Sequence, residues 1–476
     1  MKKLLYISVA LAGFTMASCK KELDLNPYNA LPPDEVFQTD ADFQNAINGV
    51  YYNMTHSSNY YVGGDGFNFV ASNDIISDNV IGFSDGRGSG QTFSDWTYTP
   101  LTTTLFYQDG YAIIRAANEV IANINNLPSS DPNKNDFLGQ ALAIRGIVHF
   151  DMVRFFGTAY QSAAATDLGV PYITDVEAYN SNPPRGTVKN NYDSIEVDLK
   201  NAAAIIGADA DGRIGQAAVY GYLARLYLNE GDYADVITSA TSCLSQVPDP
   251  ATIAEFPNIW TDQSDAGVLF ELVILQTDQL TPGTEYGQGD KAEYIPTAYL
   301  YNLYQTSDVR LTSYFEPVTY NGLNINLVIK YLGQPGGIQN LVNIKLLRTP
   351  EVYLSRAEAY AETGNDALAL QDLDMVRSNR YSPFVSGNET GQALINAIAL
   401  ERRLELALEG DRFVDLKRKG LPISRADVNG GLSGGLVKPW PTQELLMAPT
   451  DHRMDIPIDQ TSINAAHGVL VQNPGY

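Results

Sequence analysis

Two serines in this chain fit the pattern G-x-S-x-G, in Gly82-Phe83-Ser84-Asp85-Gly86 and Gly431-Leu432-Ser433-Gly434-Gly435. A nucleophile elbow lifts such a serine above a sheet on a sharp strand-to-helix turn. The first site runs on into RGSGQ and the second into LVKPWP, neither of which reads as a helix, so both are expected to be turns. Glycosidase chemistry needs two carboxyl groups facing each other across a scissile bond. Glu401 and Glu405 offer a pair at i, i+4, but they share one helix face with Arg402 and Arg403 between them. That is the pattern of ion pairs fastening a helix to its neighbours. His56, His149, His452 and His467 are scattered, without the spacing of metal ligands, and His149 lies in an apolar helix as a satisfied core residue would. Asp209-Ala210-Asp211-Gly212 opens like a calcium loop but lacks the closing glutamate. No glycine-rich strand-to-helix turn of the phosphate-cradling kind appears. The expectation is a protein that is not an enzyme, with no catalytic residue, metal or cofactor.

The remaining residues with a chemical use are aromatic. A pyranose stacks its C–H face on an aromatic ring while nearby amides and carboxylates bond its hydroxyls. The chain carries 29 Tyr against 17 Phe. The densest group lies in residues 57–103: Tyr60, Tyr61, Phe67, Phe69, Phe83, Phe93, Trp96 and Tyr98, interspersed with Asn73, Asp74, Asp78, Asn79 and Arg87.

Location is written at the other end of the size scale. Lys2, Lys3 and the apolar run Leu4 to Ala17 read as an export signal, residues 1–18. Met16-Ala17-Ser18-Cys19 resembles the lipobox of bacterial lipoproteins, which implies acylation of Cys19 and a lipid anchor in a membrane. No later stretch approaches the ~20 apolar residues of a membrane-spanning helix. The net charge of −24 becomes −26 without residues 1–18, which argues against nucleic acid as a partner. With Cys19 acylated only Cys243 remains, so no intramolecular disulfide is expected.

The elements that must hold these residues are mostly helices. Residues 19–34 read as a polar, proline-rich tether, followed by helical periodicity from Asp40 through Phe43, Ile47, Val50 and Tyr51. Residues 57–103 read as irregular loop. Helices are predicted at about 104–127, 136–157, 190–206, 214–230 and 233–246. Leu223, Ala224, Tyr227, Gly231, Tyr233, Ala240, Cys243 and Pro248 fall at tetratricopeptide spacings, and Tyr353, Ala357, Tyr360, Gly364 and Ala369 repeat the register. Residues 250–345 read as loops with short strands in LFELVILQT and LNINLVIKYL, and 421–476 as a loop-like tail.

Several segments resemble the SusD/RagB family of outer-membrane nutrient-binding lipoproteins: ALAIRGIVHFDMVRFFG at 141–157, GVP at 169–171, LLRTPEVYLSRAEAYAETGN at 346–365, ERRLELALEGDRFVDLKRKG at 401–420 and the closing QNPGY. The resemblance implies a mainly α fold in which tetratricopeptide-like helix pairs support a loop-rich face with a few short strands. It implies one body made of residues 35–250 and 251–476, an oligosaccharide ligand, and a SusC-like TonB-dependent transporter on which the protein sits as a lid. Carried over by position, it implies a shallow ligand site from Asp78, Arg87, Trp96 and Tyr98, joined by Trp260 or Tyr299. Two other readings remain beside it: a tetratricopeptide scaffold that binds peptides or another envelope protein, and a lipid-anchored glycoside hydrolase or esterase.

Overall fold

Thr39 and Asp42 form a reciprocal cap, with Thr39 N–H donating to Asp42 (2.8 Å) and Asp42 N–H to Thr39 Oγ1 (3.3 Å), at the entry to α1 (Asp40–His56). The computed structural model describes residues 36–476 except 57–59, 63–67, 85, 104–105, 177–181, 209–211, 279, 289–290, 321, 426–439 and 441–443. Cys19, the leader, the tether, Phe67, the 431–435 motif and Asp209 to Asp211 lie outside the described residues.

Residues 57–103 depart from the expected irregular loop. They contain α2 (Phe69–Ile76), β1 (Val80–Gly82) and the short α3 (Gln91–Ser94). Asn68 caps α2 by accepting from Ala71 N–H, and every residue of α2 is buried, so tertiary packing holds a helix too short for a periodic signal. Next come α4 (Phe106–Asn123), α5 (Lys134–Phe156), α6 (Val188–Ile205), α7 (Gln216–Glu230) and α8 (Tyr233–Leu244), close to the predicted helices. α5 is packed between α4 and α6, and its last 18 residues are all buried, the charged ones among them in pairs such as Arg145 with Asp198 and Arg154 with Asp151.

The tetratricopeptide register is realised in α7 with α8, and in α12 (Thr349–Glu362) with α13 (Asp366–Ser378). Gly231 and Gly364 end the first helix of each pair at φ 80° and 77°, a left-handed turn that glycine takes without strain. α8 packs on α12, which also carries α14 (Gly391–Glu405). Ala224, Ala240, Ala357 and Ala369 are fully buried at the helix contacts, where small side chains permit close approach.

The segment between the pairs holds α9 (Phe256–Ile259), β2 (Val268–Leu272), β3 (Gly287–Gln288), β4 (Lys291–Ala292), β5 (Tyr294–Pro296), α10 (Ala298–Tyr301), α11 (Val309–Tyr314), β6 (Phe315–Tyr320), β7 (Leu323–Val328) and β8 (Ile344–Arg348). These strands form two-stranded antiparallel ribbons, β1 with β5, β2 with β8, β3 with β4 and β6 with β7. The last stretch holds α15 (Arg412–Arg418), the ribbon of β9 (Ile423–Ser424) with β10 (Leu446–Met447), and α16 (Gln460–Ala465). One hydrophobic core runs from Phe37 to Leu470 and joins both halves of the chain, while a small cluster of Ile81, Phe83, Ile295, Ile325 and Trp440 seats the β1–β5 ribbon on β7.

Candidate ligand face

The charged run at 401–420 turns inward. Glu405, fully buried, accepts from Arg310 (3.1 Å), Arg348 (2.7 Å) and Arg380 (2.8 Å). Glu401 pairs with Arg310 (2.6 Å) and Arg377 (3.4 Å), and Glu409 with Lys330 (2.7 Å) and Arg348 (2.5 Å). Arg402 reaches Asp411 (2.7 Å), Asp415 (3.3 Å) and Glu351 (3.4 Å), while Arg418 binds Glu358 (2.8 Å). Burial alone would raise the Glu405 carboxyl, but the three guanidinium groups outweigh it and hold it far below the usual carboxylate range. A general acid must keep a proton near neutral pH, which Glu405 does not. The helix-fastening role expected of this run is what the structure shows.

Three of the six residues implied as ligand contacts are core residues instead. Trp96 is 2 % exposed, donates from its indole to Ile76 O (2.8 Å) and lies 4.0 Å beneath the Arg425 guanidinium. Tyr98 is equally buried against Phe93, its hydroxyl donating to Arg453 O. Trp260 is enclosed by Phe256, Tyr314 and Tyr331, with Lys330 Nζ 4.1 Å from its ring. None of the three presents a face to solvent here: large rings remove the most apolar area from water, so a loop without a core of its own docks by them.

The other three assemble around the β1–β5 ribbon. Asp78 precedes β1 and Tyr299 follows β5, which the antiparallel register Val80↔Pro296 brings to the same end. Between them stands Arg403, which pairs with Asp78 (3.2 Å) and places its guanidinium 4.8 Å from the Tyr299 ring centre. Arg412 holds the second side of Asp78 (2.8 Å). Both arginines overcome the raising effect of burial and lower the Asp78 pKa. Asp78 is therefore a buried anchor, whereas Tyr299, 47 % exposed, is an open ring stiffened from below by a cation. Arg87 lies past the opposite end of β1, where its backbone N–H donates to Glu293 (2.6 Å) and its side chain is 36 % exposed. Arg403, Arg412 and Glu293 were not singled out as ligand-face residues from the sequence. The first two stand in the 401–420 run, where spacing marks them as paired without naming the partner.

One turn beyond Tyr299, Leu303 and Gln305 enter a concavity of about 370 Å³, where Leu400 and Leu404 of α14 meet Phe384 and Val385. Arg377 and Glu389, paired at 2.9 Å, supply its charge. Val385 and Leu400 are 82 % and 42 % exposed. An open ring, a cation behind it and an adjoining hollow of mixed polarity can hold a flat, hydroxylated ligand. Among the described residues no cluster of His, Cys, Asp and Glu is arranged to hold a metal ion, and no helix is long and apolar enough to cross a membrane.

Fold and face together define a binding protein built on tetratricopeptide-like helix pairs. Residues 22–228 match the family described as starch-binding associating with outer membrane, and residues 280–476 match the SusD family. The chain belongs to the SusD/RagB family. It is 24 % identical to SusD-like protein P2 of Formosa agariphila, over 97 % of each chain. A putative sugar binding protein from Bacteroides vulgatus superposes with a TM-score of 0.82 at 29 % identity, over 93 % of this chain and 99 % of that one. A laminarin-binding SusD-like protein shares the fold, with a TM-score of 0.69 and 21 % identity over 92 % of this chain and 100 % of that one.

Proposed function

We propose that this protein is a cell-surface lipoprotein that captures an oligosaccharide and delivers it to a partner TonB-dependent outer-membrane transporter. Acylation of Cys19 anchors it, and residues 20–34 join the anchor to the body. The observation that carries the reading is Tyr299, an exposed ring backed by Arg403 and Asp78 beside an open hollow, in a chain whose charged signature is spent on its own core. The sugar-binding designation of the Bacteroides vulgatus relative supports the ligand class. Capture involves no bond made or broken.

A glycan array with the purified mature chain, then calorimetry on the best ligand, tests this. Tyr299→Ala is expected to weaken binding roughly two- to twelvefold, the equivalent of the ~0.5–1.5 kcal/mol of a stacked ring. Arg87→Ala lowers affinity where the glycan reaches the far end of the ribbon. A TonB-dependent barrel is expected to co-purify from membranes. Turnover of a glycan or ester at enzymatic rates, or peptide binding without any glycan affinity, would sink the reading.

A further inference from the structure

Tyr299 takes its place from two residues at the foot of another strand. Thr297, fully buried, donates from its hydroxyl to Asp78 O (3.0 Å) and accepts there from Leu300 N–H (3.1 Å), while its own N–H donates to Asn79 O (2.9 Å). One hydroxyl is therefore both the N-cap of α10 and its tie to the residues that lead into β1. The first N–H groups of a helix find no partner inside it, so the capping side chain decides where the first turn begins. α10 has four residues, and Tyr299 is the second of them.

The cation behind the ring is registered on the same two residues. Arg403 Nε donates to Asn79 Oδ1 (3.2 Å) and Nη2 to Asp78 O (3.3 Å), in addition to its pair with the Asp78 carboxylate. Backbone and ring of Tyr299 thus share one reference, residues 78 and 79: the Thr297 cap fixes the first, and the guanidinium 4.8 Å from the ring centre backs the second. A helix this short does not hold its own shape, so the cap and the packing around it keep the ring over Arg403.

The geometry points to Thr297 as a positioning residue of the ligand face: shut away from any ligand itself, it tunes affinity through the placement of Tyr299. What this says of affinity rests on the glycan reading above; what it says of the ring does not.

A 3-fluorotyrosine incorporated at position 299 alone lets fluorine NMR read the ring in the mature chain without ligand. Thr297→Val keeps the shape of the side chain and deletes the hydroxyl, and is expected to shift or broaden that signal, whereas Thr297→Ser should leave it as in the parent. Thr187→Val removes the corresponding cap of α6, where Thr187 accepts from Asn190 N–H (3.1 Å), and should lower the melting temperature comparably without moving the signal. Calorimetry with maltohexaose, cellohexaose and xylohexaose as probes reads the affinity. Thr297→Val is expected to weaken any that binds roughly two- to fivefold, with Thr297→Ser at the parent value and the double variant Thr297→Val, Tyr299→Ala no weaker than Tyr299→Ala alone. An unmoved signal in Thr297→Val, or an equal movement in Thr187→Val, would overturn the inference. So would losses that add in full in the double variant, because Thr297 would then act elsewhere than through the ring. If none of the three probes binds, the fluorine signal alone decides the placement of the ring. A protein that binds glycan equally well as Tyr299→Ala removes the capture reading at this ring, an outcome separate from the signal in Thr297→Val.

Discussion

Glu405→Gln should cost this protein several kcal/mol although it changes one atom of the side chain. Around Glu405 the structure balances Arg310, Arg348, Arg377, Arg380 and Lys330 against Asp308, Glu389, Glu401, Glu405 and Glu409, and most of these groups are shut off from water. Arg310 keeps Asp308 and Glu401 if Glu405 is neutralised, and Arg348 keeps Glu409. Arg380 is left without a carboxylate, among the carbonyl oxygens of Ala251 and Asn379, the one oxygen the glutamine keeps and the face of Phe256. Removing one partner of a buried pair typically costs about 3–5 kcal/mol, because the stranded charge has lost its hydration as well as its counter-ion. Urea unfolding followed by circular dichroism reads the effect. With a slope near 3 kcal/mol/M, the midpoint should fall by about 1 to 1.7 M. The control is Glu119→Gln, whose pair with Arg115 is open to solvent at 4.0 Å and should be worth less than about 1 kcal/mol. A Glu405→Gln protein within about 1 kcal/mol of the parent would refute the argument that this run exists to fasten helices. So would one of unchanged stability that had lost a measurable glycan-cleaving activity.

Acid sensitivity should contain a histidine component. His149 is fully buried, its Nδ1 bonded to Arg145 O (2.9 Å) and its Nε2 accepting from Ile173 N–H (3.2 Å), so the ring is held neutral. Burial pushes it down to about 3. Below pH ~6.5 the unfolded chain takes up a proton that the folded one refuses, so stability falls as pH drops from 6.5 toward 3, by up to about 5 kcal/mol. Asp74, raised to about 6 by burial, runs the opposite way between its ordinary value and 6, so the readout is the difference between parent and His149→Gln unfolding curves. Curves that stay parallel from pH 6.5 to 4 would contradict the assignment. Gly410→Ala should destabilise more than Gly364→Ala by thermal melting. Both sites sit near φ 78°, but a Cβ at 410 meets the Val70 backbone at 3.0 Å whereas 364 opens on empty space. The shared left-handed penalty is about 1 kcal/mol. Equal shifts would show that the Val70 contact relaxes freely.

Periodic and local features were legible in the sequence. The register of Gly231 and Gly364 with the alanines around them specifies two helix pairs, because a left-handed turn and a close helix contact each demand a particular residue at a particular spacing. The alternation of charge at 401–412 announced ion pairs for the same local reason. Which atoms those charges meet was not legible: Arg310, Arg348 and Arg380 converge on Glu405 from 25 to 95 residues away, and Arg403 and Arg412 find Asp78 more than 300 residues back. The aromatic residues show the same division. Composition marks Trp96, Tyr98, Trp260 and Tyr299 as equally able to stack on a sugar, since a ring has the same faces wherever it stands. Only the packed chain buries three of them and leaves Tyr299 open, because burial depends on what the rest of the molecule brings to each side of the ring.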